Sequence, residues 1–188
     1  MMRAAVAVGL FTGSLAGSAL ADPPIKGACP TPGTVLQTSN GSVLTVIAAT
    51  GLFCQMRSSM TGDFALIGLL LRLDARRTPS NEGIAAINSL WPLASGKAAQ
   101  YTYTDATGQW VESYKVGAKR KVTTKAGPFQ VIDIVQTEQS ADGSGGIGTY
   151  TSYIAPTLGY IVKFTFTMTG GPAEGAPGDW ELVSVKAP

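Results

Sequence analysis

The residues that most often carry out catalysis are sparse in this sequence, which has no histidine among its 188 residues. A Ser-His-Asp or Cys-His pair needs an imidazole base, and histidine is a main ligand of catalytic zinc, so both kinds of site are excluded. A Ser-Lys dyad would have to come from Ser95-Gly96-Lys97, where nothing forces the two side chains to face each other. We therefore expect no catalytic residues, no metal and no cofactor.

Two acidic residues, Glu112 and Asp133, each lie on or beside an apolar strand face. Such a pair could serve a glycoside hydrolase if both carboxylates faced one cleft within roughly 10 Å of each other. Trp110 and Tyr114 stand at alternate positions on either side of Glu112, and an acid beside aromatic rings suits contact with a sugar. The simpler interpretation is an edge-strand acid that pairs with a lysine of the neighbouring hairpin.

Aromatic side chains recur at alternate positions along several predicted strands, which places them on one face of a sheet. Such residues commonly fill a core, but a curved sheet with too little helix to fill it would leave them lining an apolar pocket. The predicted ligand-binding residues are Tyr101, Tyr103, Trp110, Glu112, Tyr114, Tyr160 and Phe164. Phe166 continues the same row.

The two cysteines, Cys29 and Cys54, predict one disulfide bond if the chain is exported. The bond would close a loop of about 25 residues, and the loop-entropy model predicts that this stabilises the folded protein by roughly 3 kcal/mol. Lipid attachment at Cys29 is the alternative, but Lys26 stands where a lipoprotein signal has an aliphatic residue. Two cysteines without histidine fall short of the four ligands that structural zinc requires.

Short β-prone runs separated by turn signals make up most of the chain after the first 33 residues. Ser39-Asn40-Gly41 predicts a tight hairpin, because Asn and Gly both tolerate positive φ. Residues 63–73 are predicted to form one strand with a bulge or a close approach at Gly68, and Gly117-Ala118 is predicted to separate two strands. One helix is predicted to begin after Ser80, its N-cap, and to end at Pro92.

Ten or so strands with one helix and no βαβ spacing predict a single domain over residues 34–188. Its predicted fold class is mainly β, with an antiparallel, strongly curved sheet or open barrel and one short helix packed against it. The helix is too short to cover so many strands.

Residues 1–21 have the charged start, apolar stretch and small-x-small site of a signal peptide, which predicts cleavage after Ala21. The apolar stretch of about 17 residues is short for a membrane-spanning helix, and no later stretch is long enough. Residues 22–33 are predicted to form a Pro-rich arm. We expect the mature chain in the periplasm or outside the cell, with no transmembrane segment after cleavage.

The charge balance is close to neutral, with 14 Lys+Arg against 12 Asp+Glu and a net charge of +2. A dedicated nucleic-acid binder has a strong basic excess, so we expect no nucleic-acid partner. A local cluster of bases lies within residues 115–125. It could contact phosphate head groups or an anionic cell-wall polymer, or it could be a solvated hairpin whose lysines protect a sheet edge.

Several short motifs in the second half of the chain recur in a known group of proteins. They are Trp91-Pro92-Leu93, Ala126-Gly127 before Phe129, Tyr153-Ile154-Ala155-Pro156, Gly159 and Val162-Lys163. Over roughly residues 91–186 the chain resembles a loose group of exported bacterial proteins described as domains of unknown function. The group has a Tyr-x-Ala-Pro-x-x-Gly-x-Val-Lys-like hairpin, and its Val-Pro-Ala-Gly-Thr-Phe-like turn is replaced here by residues 124–129.

That resemblance implies an exported domain but no activity. The chain is also distantly similar to periplasmic lipoprotein carriers, which hold an acyl chain in a curved sheet. The leading hypothesis is therefore a non-enzymatic envelope protein that binds or carries an apolar or amphiphilic ligand. The alternatives are a structural or protein-interaction component of the cell envelope and, as the least favoured, a carboxylate-pair hydrolase.

Overall fold

The computed structural model describes residues 29–73, 79–171 and 177–188. The predicted signal peptide and the first part of the Pro-rich arm lie outside the described residues. Eleven strands in the described ranges form one antiparallel sheet whose two end strands do not pair with each other. The predicted fold class, mainly β with an antiparallel curved sheet and one short helix, is confirmed.

The first half of the chain forms five strands that follow one another outward through hairpins. They are β1 Val35–Thr38, β2 Val43–Thr50, β3 Phe53–Ser58, β4 Gly62–Ile67 and β5 Leu71–Leu73. The predicted hairpin between β1 and β2 is present, with Gly41 at a φ of 88° and its N–H donating to the Thr38 carbonyl at 3.0 Å. Glycine is favoured there because an L side chain at positive φ is strained.

The run 63–73 is not the single strand that the sequence predicted. It contains all of β4 except its first residue, then a tight turn and β5, and the turn passes through Gly68 and Leu69 at φ values of 57° and 66°. Leu69 is only 2% exposed. The prediction of one strand was wrong because this turn is buried under the helix and is therefore apolar, which hides the usual polar turn signal.

The second half of the chain forms six further strands in the same sheet. They are β6 Ala98–Asp105, β7 Gly108–Thr124, β8 Gly127–Ser140, β9 Ile147–Ala155, β10 Tyr160–Thr169 and β11 Trp180–Lys186. β7 runs through Gly117-Ala118 without a break, which corrects the prediction of two strands. The pairing register with β8 shifts between Val116 and Lys119, so the glycine marks a bulge within one long strand.

The two halves join in the middle of the sheet. The strand order is β5-β4-β3-β2-β1-β11-β10-β9-β8-β7-β6, so the first and last strands are neighbours. β1 pairs with β11 from Val35 opposite Lys186 to Thr38 opposite Leu182. The end strands β5 and β6 are therefore consecutive strands of the chain, and the connection between them contains the helix.

Helix α1, Asn81–Leu90, lies against both ends of the sheet. Ser80 is its N-cap, as predicted, and its hydroxyl accepts from the Gly83 N–H at 3.1 Å. A Cβ on Gly83 would lie 2.9 Å from the Tyr101 ring of β6, and one on Gly68 would lie 2.6 Å from Ile87 of α1. These two close approaches bring both sheet ends to one helix, which requires the sheet to curve.

Cys29 and Cys54 form the predicted disulfide bond, with their Cα atoms 5.7 Å apart. Cys54 is fully buried on β3, and Cys29 packs against the turn between β9 and β10. A Cβ on Gly159 of that turn would lie 2.8 Å from the Cys29 carbonyl oxygen. The disulfide therefore fixes one end of the first half of the sheet against the second half.

The described ranges contain one helix, α1, and its ten residues are too few to cross a bilayer.

Candidate functional site

The inner face of the second half carries two acidic residues that sit directly opposite each other on neighbouring strands. Glu112 of β7 pairs with Glu138 of β8 in the sheet register. Alternation explains their direction, since Tyr114 and Val116 of β7 are buried while Lys115 between them is exposed. Two like charges at such a position would repel each other, so each acid needs its own hydrogen-bond donors.

Glu112 is fully buried and is held by two tyrosines. Tyr101, its partner on β6, and Tyr114, two residues further along β7, both donate their hydroxyl protons to Glu112 Oε2, Tyr114 at 2.6 Å. Burial, and secondarily the charge of Glu112, raise the pKa of Tyr114 well above its usual range. Tyr114 therefore remains protonated and continues to donate. We call these three residues the inner cluster.

Glu138 has the same chemistry in a less buried setting. Tyr103 of β6 donates to Glu138 Oε1, and Tyr150 of β9 donates to Glu138 Oε2 at 2.9 Å. The carboxylate thus connects two strands that are separated by β7 and β8. We call these three residues the outer cluster.

Aromatic rings continue from these clusters across the inner face. Tyr101 stacks on Tyr114 with ring centroids 6.4 Å apart, and Tyr150 lies 4.9 Å from Phe166 of β10. Phe164 in turn stacks on Trp180 of β11 at 5.9 Å. The row therefore extends from β6 to β11, and Glu138 joins its two parts.

A cavity of about 510 Å³ lies between the two halves of the sheet. From the first half it is lined by the apolar Leu44, Met60, Phe64, Leu66, Leu69 and Leu70 and by the polar Thr38, Asn40, Ser42, Ser58, Thr61 and Arg72. From the second half it is lined mainly by Glu138, Tyr150, Ser152, Tyr160, Ile161, Phe164 and Trp180. Its walls contain nearly as many polar as apolar side chains. Its volume falls within the range of roughly 300–1,000 Å³ that is typical of ligand sites.

The cation in the cavity wall is Arg72 of β5. Its guanidinium carbon lies 4.2 Å from the centroid of the Phe64 ring, and its Nη2 donates to the Thr61 hydroxyl at 3.0 Å. Tyr160 is buried in the opposite wall, and burial raises its pKa above the usual range while the charge of Arg72 acts in the other direction. Arg72 and Glu138 are therefore side chains of opposite charge in the wall of the same cavity.

A more open groove lies on the other side of Glu138, between the start of α1 and β6. It is lined by Pro79, Ser80, Glu82, residues 101–105, Gln109 and Glu138. Asp105 at its edge accepts from the side chain and the N–H of Thr107, and these bonds lower the pKa of its carboxyl group. Glu138 thus belongs to the walls of both spaces.

The predicted ligand-binding residues divide between these places. Tyr160 and Phe164 line the cavity, and Tyr101 and Tyr103 line the groove. Glu112 and Tyr114 are buried in the inner cluster. Trp110 lies at the turn between β6 and β7, where its indole N–H donates to Asp105 at 3.2 Å and to the Thr107 hydroxyl at 3.0 Å. Ligand binding by all seven residues remains a prediction.

The carboxylate pair proposed from the sequence is not formed. Asp133 is an odd number of residues from Glu138 on a regular stretch of β8, so it projects from the opposite face to Glu112. Arg120 pairs with Asp133 at 3.2 Å and lies 4.8 Å from the Tyr153 ring on that outer face. The hydrolase hypothesis required one cleft for both acids, and it is therefore wrong for this pair.

Two other candidates from the sequence have ordinary structural positions. Lys97 Nζ donates to the last carbonyls of α1, at 3.3 Å to Ser89 and 3.4 Å to Leu90, so it caps the helix. Ser95 is exposed beside it.

Within the basic cluster, Lys115, Lys121 and Lys125 are exposed. No group of three or more Cys, Asp or Glu side chains in the part of the chain described here could hold a metal ion.

The sequence analysis missed Glu138, Tyr150, Arg72 and Trp180. A signal for Glu138 was present, because it continues the alternation of Ile132, Ile134 and Gln136 onto the inner face. Arg72 gave no such signal, because β5 was not recognised as a separate strand. Its position in the cavity follows from the hairpin that brings β5 back along β4.

Comparisons with known proteins identify no family. No family model matches the chain, and no curated protein matches it.

Two solved structures have a similar shape. One is a candidate exported protein with a YmcC-like fold from Bacteroides fragilis, 12% identical, with a TM-score of 0.40, covering 86% of this chain and 99% of its own. The other is a candidate lipoprotein from Parabacteroides distasonis, 11% identical, with a TM-score of 0.43, covering 87% and 100%. Scores below 0.5 do not establish a shared fold or function.

Proposed function

We propose that this protein is a non-enzymatic, exported binding or carrier module that holds an amphiphilic molecule in the cavity between the two halves of its sheet. The observation that carries the proposal is the cavity itself, whose walls combine apolar side chains from both halves with hydroxyl, amide and charged groups, as an amphiphile requires. An apolar ligand tail would lie against Leu66, Ile161 and Phe164. Arg72 and Glu138 would remain near its polar end.

The burial pattern around the cavity supports this interpretation. Leu44, Leu66 and Ile161 are buried, at 8%, 7% and 7% exposure, yet each still borders open space. Replacing water beside apolar side chains with an apolar ligand chain is favourable, because it removes apolar surface from water. The disulfide and the predicted signal peptide support export, since disulfides persist in oxidising compartments.

Binding can be tested with a neutral probe and the tryptophan in the cavity wall. Trp180 lines the cavity, whereas Trp91 is buried beside α1 and Trp110 lies at a turn. We expect a dodecyl maltoside with bromine in its alkyl chain to quench part of the fluorescence saturably, below the concentration at which it forms micelles. Extraction of the purified protein with organic solvent, followed by mass spectrometry, should also release an amphiphile.

Two substitutions on adjacent residues of β9 provide a matched pair. Ser152 lines the cavity and Thr151 points to the outer face, so S152F fills the cavity while T151F adds the same ring outside. We expect S152F to weaken probe binding at least tenfold and T151F to leave it within twofold. Absence of saturable quenching in the wild type, or equal effects of the two variants, would contradict the proposal.

A further inference from the structure

One charged group in the cavity wall has no opposite charge beside it. Glu138 accepts hydrogen bonds from Tyr103 and Tyr150, and in the described residues no lysine or arginine forms an ion pair with it. A carboxylate offers acceptor sites for about four donors, so two phenols leave capacity for a ligand. A partly buried carboxylate without a cation favours a ligand that brings one.

Tyr150 bonds to Glu138, and it is one of three aromatic rings in the cavity wall that are suited to an alkylated cation. Tyr150, Phe164 and Trp180 line the same cavity, and the last two stack with an interplanar angle of 13°. The face of an aromatic ring carries negative charge density and attracts ammonium groups, most strongly where water is excluded. Aromatic rings together with a carboxylate are the groups that recognise quaternary ammonium ions.

The groove on the other side of Glu138 has the same sign of charge. Glu82, Asp105 and Glu138 line it, and no described lysine or arginine does. Asp105 stays ionised because the hydrogen bonds from Thr107 stabilise its charged form. A concave surface lined by one sign of charge raises the local concentration of the opposite ion, so the groove would attract cations toward Glu138.

Arg72 is the group in the cavity that would favour an anion instead. It comes from β5, its guanidinium lies over Phe64 and donates to Thr61, and its charge also acts on Tyr160 of β10. The wall formed by β8 to β11 therefore has the carboxylate and the rings, and the wall formed by β4 and β5 has the arginine.

We infer that the ligand is an amphiphile whose polar end carries an ammonium group, bound against Glu138 and the rings of Tyr150, Phe164 and Trp180. The inference rests on the proposed binding function and adds to it the charge of the head group. The alkyl tail would extend from this wall into the apolar part of the cavity.

Three detergents with the same twelve-carbon chain distinguish the contribution of the head group to binding from that of the tail. They are dodecyltrimethylammonium, dodecyl maltoside and dodecyl sulfate, each titrated below its micelle concentration by isothermal calorimetry. We expect the ammonium form to bind the wild-type protein about tenfold more tightly than the maltoside and still more tightly than the sulfate. Added sodium chloride should weaken binding of the ammonium form alone.

Two substitutions that remove one negative charge each identify the residue responsible. E138Q keeps the size of the side chain, and E181Q changes a residue of β11 that lies outside the cavity lining. We expect E138Q to remove the tenfold preference for ammonium and to leave the maltoside affinity within twofold, and E181Q to preserve the preference. Thermal unfolding of both variants confirms that each is folded.

The possible results distinguish the two proposals. Equal affinities of the wild type for ammonium and maltoside would overturn the inference and leave the binding function standing. Tighter binding of the sulfate would also overturn it and would point to Arg72. If none of the three detergents binds, both proposals fail. Since the wild-type comparison needs no variant, a folding defect in E138Q would not remove the test.

Discussion

The inner and outer clusters have the same composition and nearly the same position, but they differ in their surroundings. Each is a glutamate that accepts from two tyrosines, and the two acids face each other across β7 and β8. Glu112 is closed off from solvent, whereas Glu138 borders both the cavity and the groove. The same arrangement of a glutamate and two tyrosines is therefore sealed in the core at one position and accessible from a cavity at the next.

The difference follows from the place of each residue in the sheet. The inner cluster lies beneath α1, because Gly83 of the helix rests directly on the Tyr101 ring. Two residues further along β6, Tyr103 lies past the region where the helix covers the strand and lines the open groove. Tyr101 and Tyr103 are only two residues apart on β6, yet Tyr101 bonds to the sealed Glu112 and Tyr103 bonds to the accessible Glu138.

The largest expected difference between the clusters concerns stability. E112A removes the acceptor for two buried hydroxyl groups and leaves space in the core, so we expect a loss of roughly 3–5 kcal/mol in the free energy of unfolding. E138A leaves its tyrosines able to bond to water, and we expect a loss of about 1 kcal/mol. Urea unfolding monitored by circular dichroism measures both losses. Similar losses would contradict the distinction between a sealed Glu112 and an accessible Glu138.

Single hydroxyl groups should show the same contrast at a smaller scale. Y114F leaves Glu112 with one fewer donor in a fully buried site, and we expect a loss of about 1–3 kcal/mol. Y150F acts at the partly exposed Glu138, and we expect less than about 1 kcal/mol. Both variants retain the ring, so packing is matched. Equal urea midpoints for the two variants would contradict the assignment of Glu112 as the sealed acid.

Alkaline pH should distinguish the inner cluster through Tyr114. Its pKa is raised in the folded state, so above about pH 10 the unfolded chain releases a proton that the folded chain keeps. The stabilisation is fully present below that pH and declines as the pH rises further. Y114F should reduce the decline by about 1 kcal/mol between pH 10 and 11, measured from urea unfolding. An unchanged slope would show that Tyr114 titrates normally.

Local signals predicted much of the fold. Asn40-Gly41 gave the first hairpin, Ser80 and Pro92 gave the limits of α1, and Cys29 and Cys54 gave the disulfide. The hairpin and the helix limits depend on neighbouring residues, and the disulfide followed because the chain has only two cysteines. The pairing of β1 with β11 depends on residues more than a hundred positions apart, and no local pattern in the sequence indicates it.

The candidate site was harder to predict because its members come from distant strands. Alternation correctly placed Tyr101 with Tyr103 and Glu112 with Tyr114 on single faces. It could not show that Glu138 lies opposite Glu112, since that depends on the register of two long strands with a bulge between them. Arg72 was missed for a related reason, because the buried turn at Leu69 has no polar signal.

The most direct test of the account is the position of a bound ligand in a crystal. Dodecyltrimethylammonium carrying bromine at the far end of its chain can be soaked into crystals, and the anomalous signal of bromine locates the tail. We predict bromine among Phe64, Leu66 and Ile161 inside the cavity, with the ammonium group in contact with Glu138. Bromine on the outer face of the sheet, or an empty cavity at saturating ligand, would contradict the proposal that the sheet encloses an amphiphile.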